Sequence, residues 1–314
     1  MNAQAAVSIN GLTRVFGRFV AVDRVTLDVN QSEIFGFLGP NGAGKTTTIK
    51  MLIGLLLPTS GQGTVAGFDI MTETEEIKRN IGYMSQLFSL YADLTVEENI
   101  AFFSGLYSVP KARRAGRRDW VLEMAGLNGQ RRRLTGELPL GWKQRLALGC
   151  AILHEPPLLF LDEPTSGVDP ISRRSFWDLI YSLTEKGTTV FVSTHYMEEA
   201  EYCHRLALMN RGKLIALDRP AQLRAQLPEP LLEIQTQHSP QVVDALRGVP
   251  GVLEAGMFGR AVHVMVDNAA RARGEIAEHL RAHGLGFDDI REIPPSLEDV
   301  FIARVHAEGG AAVD

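Results

Sequence analysis

The sequence has little cysteine, and this scarcity limits the classes of protein to which the chain can belong. Cys150 and Cys203 are the two cysteines, too few for a disulfide framework. Cys150 stands within an apolar run, which favours a small buried thiol over a reactive one. We therefore expect a protein of a reducing compartment, the cytoplasm.

Long apolar runs are also missing from the sequence. The longest run, residues 51–57, is interrupted by Gly54 and is far shorter than the ~20 residues that span a bilayer. The first thirty residues lack a basic segment followed by an apolar one, so we expect no secretory signal. If the protein acts at a membrane, we expect a separate partner to supply the membrane span.

An excess of positive charge is the third missing feature. Lys and Arg number 32 and Asp and Glu number 37, which gives a formal net charge of −5. The chain therefore lacks the overall basic field typical of a nucleic-acid binder, and we expect no nucleic-acid partner. Its 314 residues, 45% of them apolar, indicate a globular protein of about two domains.

Residues 7–217 alternate short, β-branched apolar runs with amphipathic stretches, a pattern typical of an α/β domain with a largely parallel sheet. The clearest predicted strands are residues 34–38, 158–161 and 189–192. Between the last two, Asp169 is a predicted helix cap, Pro170 suits the first turn, and Gly187 ends the helix. This segment predicts one complete strand, helix, strand unit.

Residues 92–138 predict a helical insert in the α/β domain, because they lack strong strand runs. The insert is rich in basic side chains: Lys111, Arg113, Arg114, Arg117, Arg118, Arg131, Arg132 and Arg133. Solvated helix faces are the simplest interpretation of these charges. Contact with anionic lipid or with a protein partner is the alternative.

The pattern changes after Pro220 and predicts a second, small domain at residues 226–314. The predicted strands are residues 231–236, 252–257, 261–266 and 287–293, and the predicted helices begin at Ser239 and cover residues 271–283. This order of strand, helix, strand, strand, helix, strand is the ferredoxin-like α+β motif. The fold class is therefore an α/β domain of residues 1–225 followed by a ferredoxin-like domain.

A glycine-rich segment carries the strongest chemical signal. Residues 39–46 read GPNGAGKT and lie between a predicted strand and a predicted helix. In such a phosphate loop, backbone N–H groups surround a phosphate, Lys45 reaches the β and γ oxygens, and the Thr46 hydroxyl can ligate magnesium. A structural strand-to-helix turn is the alternative, but the flanking strand and helix favour phosphate binding.

Polar residues follow two other predicted strands. Asp162 and Glu163 end the apolar run of residues 158–161, where Asp162 can hold magnesium and Glu163 can activate a water molecule. His195 follows the strand at residues 189–192 and is a candidate sensor of the γ-phosphate. Taken alone, paired acids are more often a helix cap and a single histidine is more often structural. The phosphate loop favours the chemical interpretation of all three.

Together these motifs resemble the ATP-binding subunit of an ABC transporter, more specifically the ABC-2-type export subunits. The resemblance covers about residues 7–225 and is weaker around residues 295–301. The Walker A residues that it implies are Gly39, Pro40, Asn41, Gly42, Ala43, Gly44, Lys45, Thr46 and Thr47. It also implies that Phe16 stacks on adenine, that residues 158–162 form Walker B, and that residues 166–169 form the D-loop.

The resemblance further implies the catalytic groups, cofactors and partners. The implied catalytic residues are Gln86 of the Q-loop, Glu163 as base and His195 as switch, and the implied magnesium ligands are Thr46, Gln86 and Asp162. The cofactors are ATP and Mg²⁺. The partners are an integral membrane permease and a second ATP-binding subunit, in a homodimer or heterodimer. The expected location is the cytoplasmic face of the cell membrane.

Residues 138–142 depart from the family pattern, because they read LPLGW where the family usually has LSGGQ. In the family this segment closes over the γ-phosphate of the opposite subunit. Pro139 lacks a hydroxyl and an N–H, and Leu140 adds bulk, whereas Gly141 and the helix dipole remain. A lost charge-assisted hydrogen bond costs roughly 1.5–3 kcal/mol. The departure is compatible with a slower ATPase, a compensated geometry, or one weak site of a heteromeric pair.

The leading hypothesis is an ATPase subunit that powers export through a separate permease. One alternative is a soluble ABC-type ATPase that remodels nucleic acid or ribosomes. Another is a degenerate subunit that binds ATP only to stabilise a heteromeric transporter. For the ferredoxin-like domain we favour support of the dimer over a regulatory or bracing role, because it has no metal-spaced Cys/His cluster and no second phosphate loop.

Overall fold

The computed structural model describes residues 5–86 and 89–307. The chain divides into two compact units, Met1–Pro220 and Ala221–Asp314, and each is described by itself. The strands of the first unit are β1 (Val7–Phe16), β2 (Phe19–Val29), β3 (Ile34–Leu38), β4 (Ser60–Val65), β5 (Phe68–Asp69), β6 (Ile81–Met84), β7 (Leu158–Asp162), β8 (Thr189–Thr194), β9 (Arg205–Asn210) and β10 (Lys213–Asp218). Its helices are α1 (Lys45–Leu52), α2 (Thr74–Asn80), α3 (Val96–Leu106), α4 (Lys111–Met124), α5 (Leu140–Ala151), α6 (Pro170–Glu185) and α7 (Met197–Ala200). The short helix α8 (Pro220–Ala225) begins at the boundary.

A six-stranded sheet forms the centre of the first unit, in the order β10-β9-β3-β8-β7-β6. All neighbouring pairs are parallel except β9 and β10, which are antiparallel. β3, β7 and β8 are buried along their whole length, as near-continuous apolar strands of a covered parallel sheet should be. The predicted α/β class with a largely parallel sheet is confirmed.

The helix predicted between β7 and β8 is also confirmed, as α6. The Asp169 carboxylate accepts hydrogen bonds from the backbone N–H groups of Ile171 and Ser172, at 3.1 and 2.9 Å, and Pro170 occupies the first turn. Gly187 follows the helix with a φ of 97°, a left-handed conformation that favours glycine. The capping residues therefore set both ends of α6.

A second, antiparallel sheet of order β2-β1-β4-β5 packs on the central sheet, and the sequence pattern did not predict it. One hydrophobic cluster joins the two sheets, since it contains Val7 and Leu27 together with Phe35 and Phe160. The pairing of β1 with β2 shifts register at several points. Such bulges break the alternation of buried and exposed residues by which a strand is recognised in a sequence.

Helices α3, α4 and α5 surround a second hydrophobic cluster, in which Ile100, Val121 and Leu146 are fully buried. A capping box begins α3, because Thr95 and Glu98 exchange side-chain to backbone hydrogen bonds. This part of the chain contains the predicted helical insert.

Most of the basic residues of the insert bind neighbours within the first unit. Arg113 and Arg117 both pair with Glu155, and Arg117 also donates to the Leu153 carbonyl at 2.9 Å. The other pairs are Arg114 with the Val109 carbonyl, Arg118 with Glu97 and Asp119, Arg131 with Asp119, and Arg133 with Glu137. These contacts favour a structural role for the charges over a lipid or partner contact.

The second unit contains the strands β11 (Leu231–Gln235), β12 (Val252–Phe258), β13 (Ala261–Val266) and β14 (Asp289–Ile293) and the helices α9 (Ser239–Leu246), α10 (Ala269–Ala282) and α11 (Leu297–Ala307). Its sheet is antiparallel in the order β12-β13-β11-β14, and α9 and α10 share a hydrophobic cluster with it. The predicted ferredoxin-like fold is confirmed. Helix α11 was not predicted.

A buried polar pair joins α11 to the sheet of the second unit. His263 Nδ1 on β13 lies 2.9 Å from Asp299 Oδ1 on α11, and the ring of Phe258 stacks on the imidazole at 4.0 Å. The Ser296 N–H and hydroxyl donate to Asp299 Oδ2 at 2.8 and 2.6 Å. Asp299 therefore fixes the beginning of α11 to β13.

Both cysteines are buried free thiols, as predicted for Cys150. Burial raises the pKa of each thiol above its ordinary value, and the Glu199 charge adds to the shift at Cys203, so both stay protonated. In the described residues, 5–86 and 89–307, no helix is both long and apolar enough to cross a membrane.

Candidate phosphate-binding and catalytic site

The glycine-rich loop runs from the end of β3 to the beginning of α1, as predicted. Gly42 and Gly44 have φ values of 80° and 104°, in the left-handed region. A Cβ on Gly39 would lie 2.4 Å from the Met209 carbonyl oxygen, and a Cβ on Gly44 would lie 2.6 Å from the Ala21 carbonyl oxygen. The backbone of β2 and β9 therefore approaches the loop so closely that only glycine fits.

Lys45 is the most restrained residue of the loop. Its side chain is 4% exposed, and its Nζ donates to the carbonyl oxygens of Gly39 and Pro40 at 2.7 and 3.1 Å. The same ammonium lies 3.1 Å from Glu163 Oε1. The amine predicted to bind phosphate and the predicted catalytic base therefore form a buried ion pair.

Asp162 is the last residue of β7 and accepts two hydroxyl hydrogen bonds at one oxygen. Thr46 Oγ1 donates to its Oδ1 at 3.1 Å, and Ser193 Oγ donates to the same oxygen at 2.6 Å. Burial raises the pKa of Asp162 above its ordinary value, although both hydrogen bonds act in the opposite direction. Burial and the Asp162 charge also raise the pKa of neighbouring Tyr83 to about 12.

Glu163 connects the other predicted catalytic residues. Its Oε2 accepts a hydrogen bond from Gln86 Nε2 at 3.0 Å and lies 3.1 Å from His195 Nδ1. Its φ of 48° is uncommon for a residue other than glycine. This conformation occurs where the chain leaves β7, and the residues predicted from the sequence as base, switch and Q-loop glutamine meet there.

Ser193 is a site residue that the sequence reasoning missed. Its hydroxyl donates to Asp162 and accepts from the Glu163 N–H at 3.1 Å, so it fixes both acids. Ser193 reaches the acids because β7 pairs in parallel with β8 in a register that sets Asp162 opposite Ser193. That register is not visible in the sequence alone.

Two predicted site residues lie on other elements. Phe16 ends β1 and is 44% exposed, with the Arg14 guanidinium carbon 4.5 Å from its ring centroid. Gly141 lies in the first turn of α5, where a Cβ would stand 2.7 Å from Ser172 Oγ of α6. The close packing of α5 against α6 thus requires glycine at this position. The nucleotide contacts of Phe16 and Gly141 stay predictions.

The donors around Asp162 suit a magnesium ion. Thr46 offers a hydroxyl, Asp162 a carboxylate and Gln86 an amide, all of them hard oxygen ligands that Mg²⁺ accepts. The Thr46 hydroxyl and the Asp162 carboxylate are already in contact, and the Gln86 amide reaches the adjacent Glu163. These residues therefore fit the predicted metal.

This arrangement defines a class of protein. A glycine-rich loop follows a buried parallel strand, and an acidic pair ends another strand of the same sheet, at the edge where open α/β sheets bind ligands. That is the nucleotide site of a P-loop protein.

Comparisons with known proteins give the family. The family model described as "ABC transporter" matches residues 22–166. A model described as the C-terminal domain of DrrA1-3-like ATP-binding proteins matches residues 219–305. A third, described as an AAA domain of a putative AbiEii toxin, matches only residues 136–199.

The chain belongs to the ATP-binding subunits of ABC transporters, in the group of DrrA-type exporter subunits. It is 33% identical over 310 residues to the daunorubicin/doxorubicin resistance ATP-binding protein DrrA of Streptomyces peucetius, with 96% of this chain and 94% of that protein covered. It is 51% identical over 235 residues to the probable multidrug ABC transporter ATP-binding protein YbhF of Escherichia coli, covering 73% of this chain and 41% of that protein. The chain thus spans about two fifths of the length of YbhF.

Solved structures agree with this membership. An ATP-binding subunit of an ABC transporter shares 29% identity with a TM-score of 0.65, over 70% of this chain and 92% of that chain. A dimeric ATP-binding cassette in a post-hydrolysis state with bound ADP and phosphate shares 26% identity with a TM-score of 0.62, over 68% of this chain and 98% of that chain. The predicted fold class is confirmed, and ABC ATPase domains of this kind bind ATP or ADP.

Proposed function

We propose that this chain hydrolyses ATP with magnesium and thereby powers export through a separate membrane-spanning permease. The observation that carries the proposal is the contact of Glu163 with Lys45, Gln86 and His195 at 3.0–3.1 Å. The names of the relatives DrrA and YbhF, a resistance protein and a probable multidrug transporter subunit, support export as the transport direction proposed for this chain. Substrate selection belongs to the permease in this proposal.

Each residue of the cluster has a defined task in the proposed reaction. The loop amides and Lys45 bind the phosphate oxygens, Glu163 orients and deprotonates the water that attacks the γ-phosphorus in line, and His195 senses the γ-phosphate. Magnesium, when held by Thr46, Asp162 and Gln86, supplies charge neutralisation at the phosphate oxygens. Catalysis then rests on positioning and electrostatics.

The proposed working unit is a dimer with two ATP molecules sandwiched between subunits, at the cytoplasmic face of the cell membrane. The cap and first turn of α5, with Pro139, Leu140 and Gly141, close over the nucleotide of the second subunit. Residues 1–225 form the ATPase domain of this proposal, with the helical insert near residues 92–138. Residues 226–314 form an accessory domain that supports the dimer. The second subunit is another copy of this chain or a related chain.

A specific observation favours a second candidate function. Leu140 is 40% exposed and Pro139 caps α5 without a hydroxyl, so the surface that closes over a partner's nucleotide lacks two features of the family pattern. In this second proposal the chain is a degenerate ATP-binding subunit of a heteromeric transporter.

Magnesium-dependent ATP turnover of the purified chain tests both proposals, with wild type beside Glu163→Gln and ATP-dependent dimerisation followed in the same samples. Glu185→Gln, an exposed acid of α6, is the matched control. Turnover that is lost only in Glu163→Gln, together with a stable ATP-bound dimer, supports the hydrolase. ATP binding without turnover or dimer in all three proteins would favour the degenerate subunit or closure that needs the permease.

A further inference from the structure

A second buried charge cluster lies beside the catalytic cluster, centred on Glu199 of α7. Glu199 is fully buried. Its Oε2 accepts a hydrogen bond from Thr194 Oγ1 at 2.7 Å, and its Oε1 accepts one from Thr165 Oγ1. Arg173 Nε of α6 lies 3.3 Å from the same Oε1. One carboxylate therefore holds groups from three other segments of the chain.

The positions of the two threonines explain why this cluster matters. Thr165 follows Glu163 by two residues, and Thr194 directly precedes His195. Since His195 Nδ1 lies 3.1 Å from Glu163 Oε2, the contacts close a ring. The ring passes from Glu163 along the chain to Thr165, through Glu199 to Thr194, and through His195 back to Glu163. A shift of Glu199 would therefore change the distance between the base and the histidine.

Arg173 extends the ring to the segment at residues 166–169. Its Nη2 donates to the Val168 carbonyl at 3.3 Å, and its guanidinium carbon lies 4.3 Å from the ring centroid of Tyr196, the neighbour of His195. The arginine thus contacts the chain on both sides of the cluster. Its positive charge also compensates the buried carboxylate, which would otherwise be strongly destabilising.

We propose that Glu199 is a positioning residue for ATP hydrolysis, which sets the relative placement of Glu163 and His195 through Thr165 and Thr194. This inference rests on the proposed hydrolase function. It extends that function, because Glu199 acts on Glu163 and His195 through Thr165 and Thr194. Small displacements of catalytic groups are costly, since a misplacement of about 1 Å can lower a rate on the order of a hundredfold.

The test removes single hydroxyl groups and keeps side-chain volume. Thr165→Val and Thr194→Val in the full chain each delete the hydroxyl that donates to Glu199. Thr194→Val also removes the acceptor of the Tyr196 N–H at 3.0 Å, so Thr165→Val is the cleaner of the two variants. We expect kcat for ATP to fall at least about tenfold, with KM for ATP changed less than about twofold, because the phosphate loop is untouched. Thr165→Ser and Thr194→Ser restore the hydroxyl, and we expect them to recover most of kcat.

Thr189→Val is the matched control for these variants. Thr189 is equally buried at the opposite end of β8, and its hydroxyl accepts a hydrogen bond from the Ser32 N–H at 2.9 Å. It therefore reports what the loss of a buried hydroxyl does without a link to Glu199. Glu198→Gln, at the exposed neighbour of Glu199, controls for charge on α7.

Three outcomes would overturn the positioning role: kcat within twofold of wild type in both valine variants, an equal loss of kcat in Thr189→Val, or failure of the serine variants to recover. The Glu163→Gln variant distinguishes failure of the positioning role of Glu199 from failure of the proposed hydrolase function. Turnover that survives in Glu163→Gln contradicts the hydrolase assignment itself. Unchanged valine variants, with turnover that depends on Glu163, contradict only the role of Glu199.

Discussion

Lys45 Nζ lies 3.1 Å from Glu163 Oε1, and the two side chains are only 4% and 6% exposed. This ion pair joins the amine that binds phosphate to the carboxylate that activates water in the proposed reaction. In that reaction an incoming phosphate group would compete with Glu163 for the same ammonium. We therefore predict that nucleotide binding and release of Glu163 are coupled through Lys45.

The first prediction concerns nucleotide affinity in Glu163→Gln. Glutamine keeps the shape of the side chain but removes the negative charge that competes for Lys45. We expect a non-hydrolysable ATP analogue to bind Glu163→Gln about 3–10-fold more tightly than it binds wild type. This factor corresponds to roughly 1 kcal/mol, because the Glu163 carboxylate no longer competes with phosphate for Lys45. Isothermal titration calorimetry measures the affinity. Unchanged or weaker binding in Glu163→Gln, with Glu185→Gln equal to wild type, would contradict the coupling.

The second prediction concerns the stability of the protein and Asp162, the predicted magnesium ligand. Burial raises the pKa of Asp162, so its charged form destabilises the nucleotide-free protein at neutral pH. Asp162→Asn keeps the oxygen that accepts from Thr46 and Ser193, and we expect a higher Tm at pH 7 but loss of magnesium-dependent turnover. The exposed acid Asp178 supplies the control, Asp178→Asn.

The pH dependence of this difference follows from the sign of the shift. Below the ordinary aspartate pKa both proteins carry a neutral side chain at position 162, so their Tm values converge. As pH rises through the raised pKa of folded Asp162, wild type loses stability relative to Asp162→Asn. Thermal unfolding followed from about pH 3 to pH 8, without nucleotide or magnesium, measures the difference and includes the pH at which the Tm values should converge. A Tm gap that shrinks as pH rises would show that the sign is wrong.

The proximity of the site residues could be predicted because they follow short, buried parallel strands. Glu163 stands directly after β7, and Lys45 begins the helix that follows β3 and its glycine-rich loop; strand ends of one sheet meet at a common edge. Ser193 and Glu199 could not be assigned in this way. Their partners depend on the register of β7 with β8 and on the return of α7 towards the sheet, which are tertiary features.

The elements that were missed have local physical reasons. Register shifts between β1 and β2 break the period of two that marks a strand. Helix α11 buries Asp299 among its apolar residues, so its pattern departs from an ordinary amphipathic stripe. The acid is tolerated because His263 and Ser296 bind it, and those partners lie outside the helix.

The third prediction tests the departure at the beginning of α5. Pro139→Ser combined with Leu140→Gly introduces a hydroxyl and removes bulk at the surface that we propose closes over a partner's nucleotide. We expect ATP turnover to rise about tenfold or more, the equivalent of a regained charge-assisted hydrogen bond of roughly 1.5–3 kcal/mol. Steady-state ATPase assays and ATP-dependent dimerisation by light scattering provide the measurement.

Pro110→Ser is the control for that variant, because Pro110 also caps a helix, α4, and serine there improves only the cap. We expect no change in turnover from Pro110→Ser. Equal turnover in wild type and in the double variant would indicate that the local geometry of α5 already compensates for the missing hydroxyl.

The last prediction concerns the second unit. The pKa of Asp299 lies below its ordinary value. Burial acts to raise this pKa, but the hydrogen bonds from His263 and Ser296 outweigh burial. A lowered pKa contributes stability above the unfolded-state pKa, and that stability is lost as pH falls through the folded-state value. We expect Asp299→Asn to destabilise the second unit by about 1.5–3 kcal/mol at pH 7, and by progressively less under acid conditions.

Hydrogen exchange of α11 and β13 in the full chain measures this loss of stability, and Asp289→Asn, at an exposed acid, is the control. Equal protection of α11 in both variants would mean that apolar packing alone holds the helix.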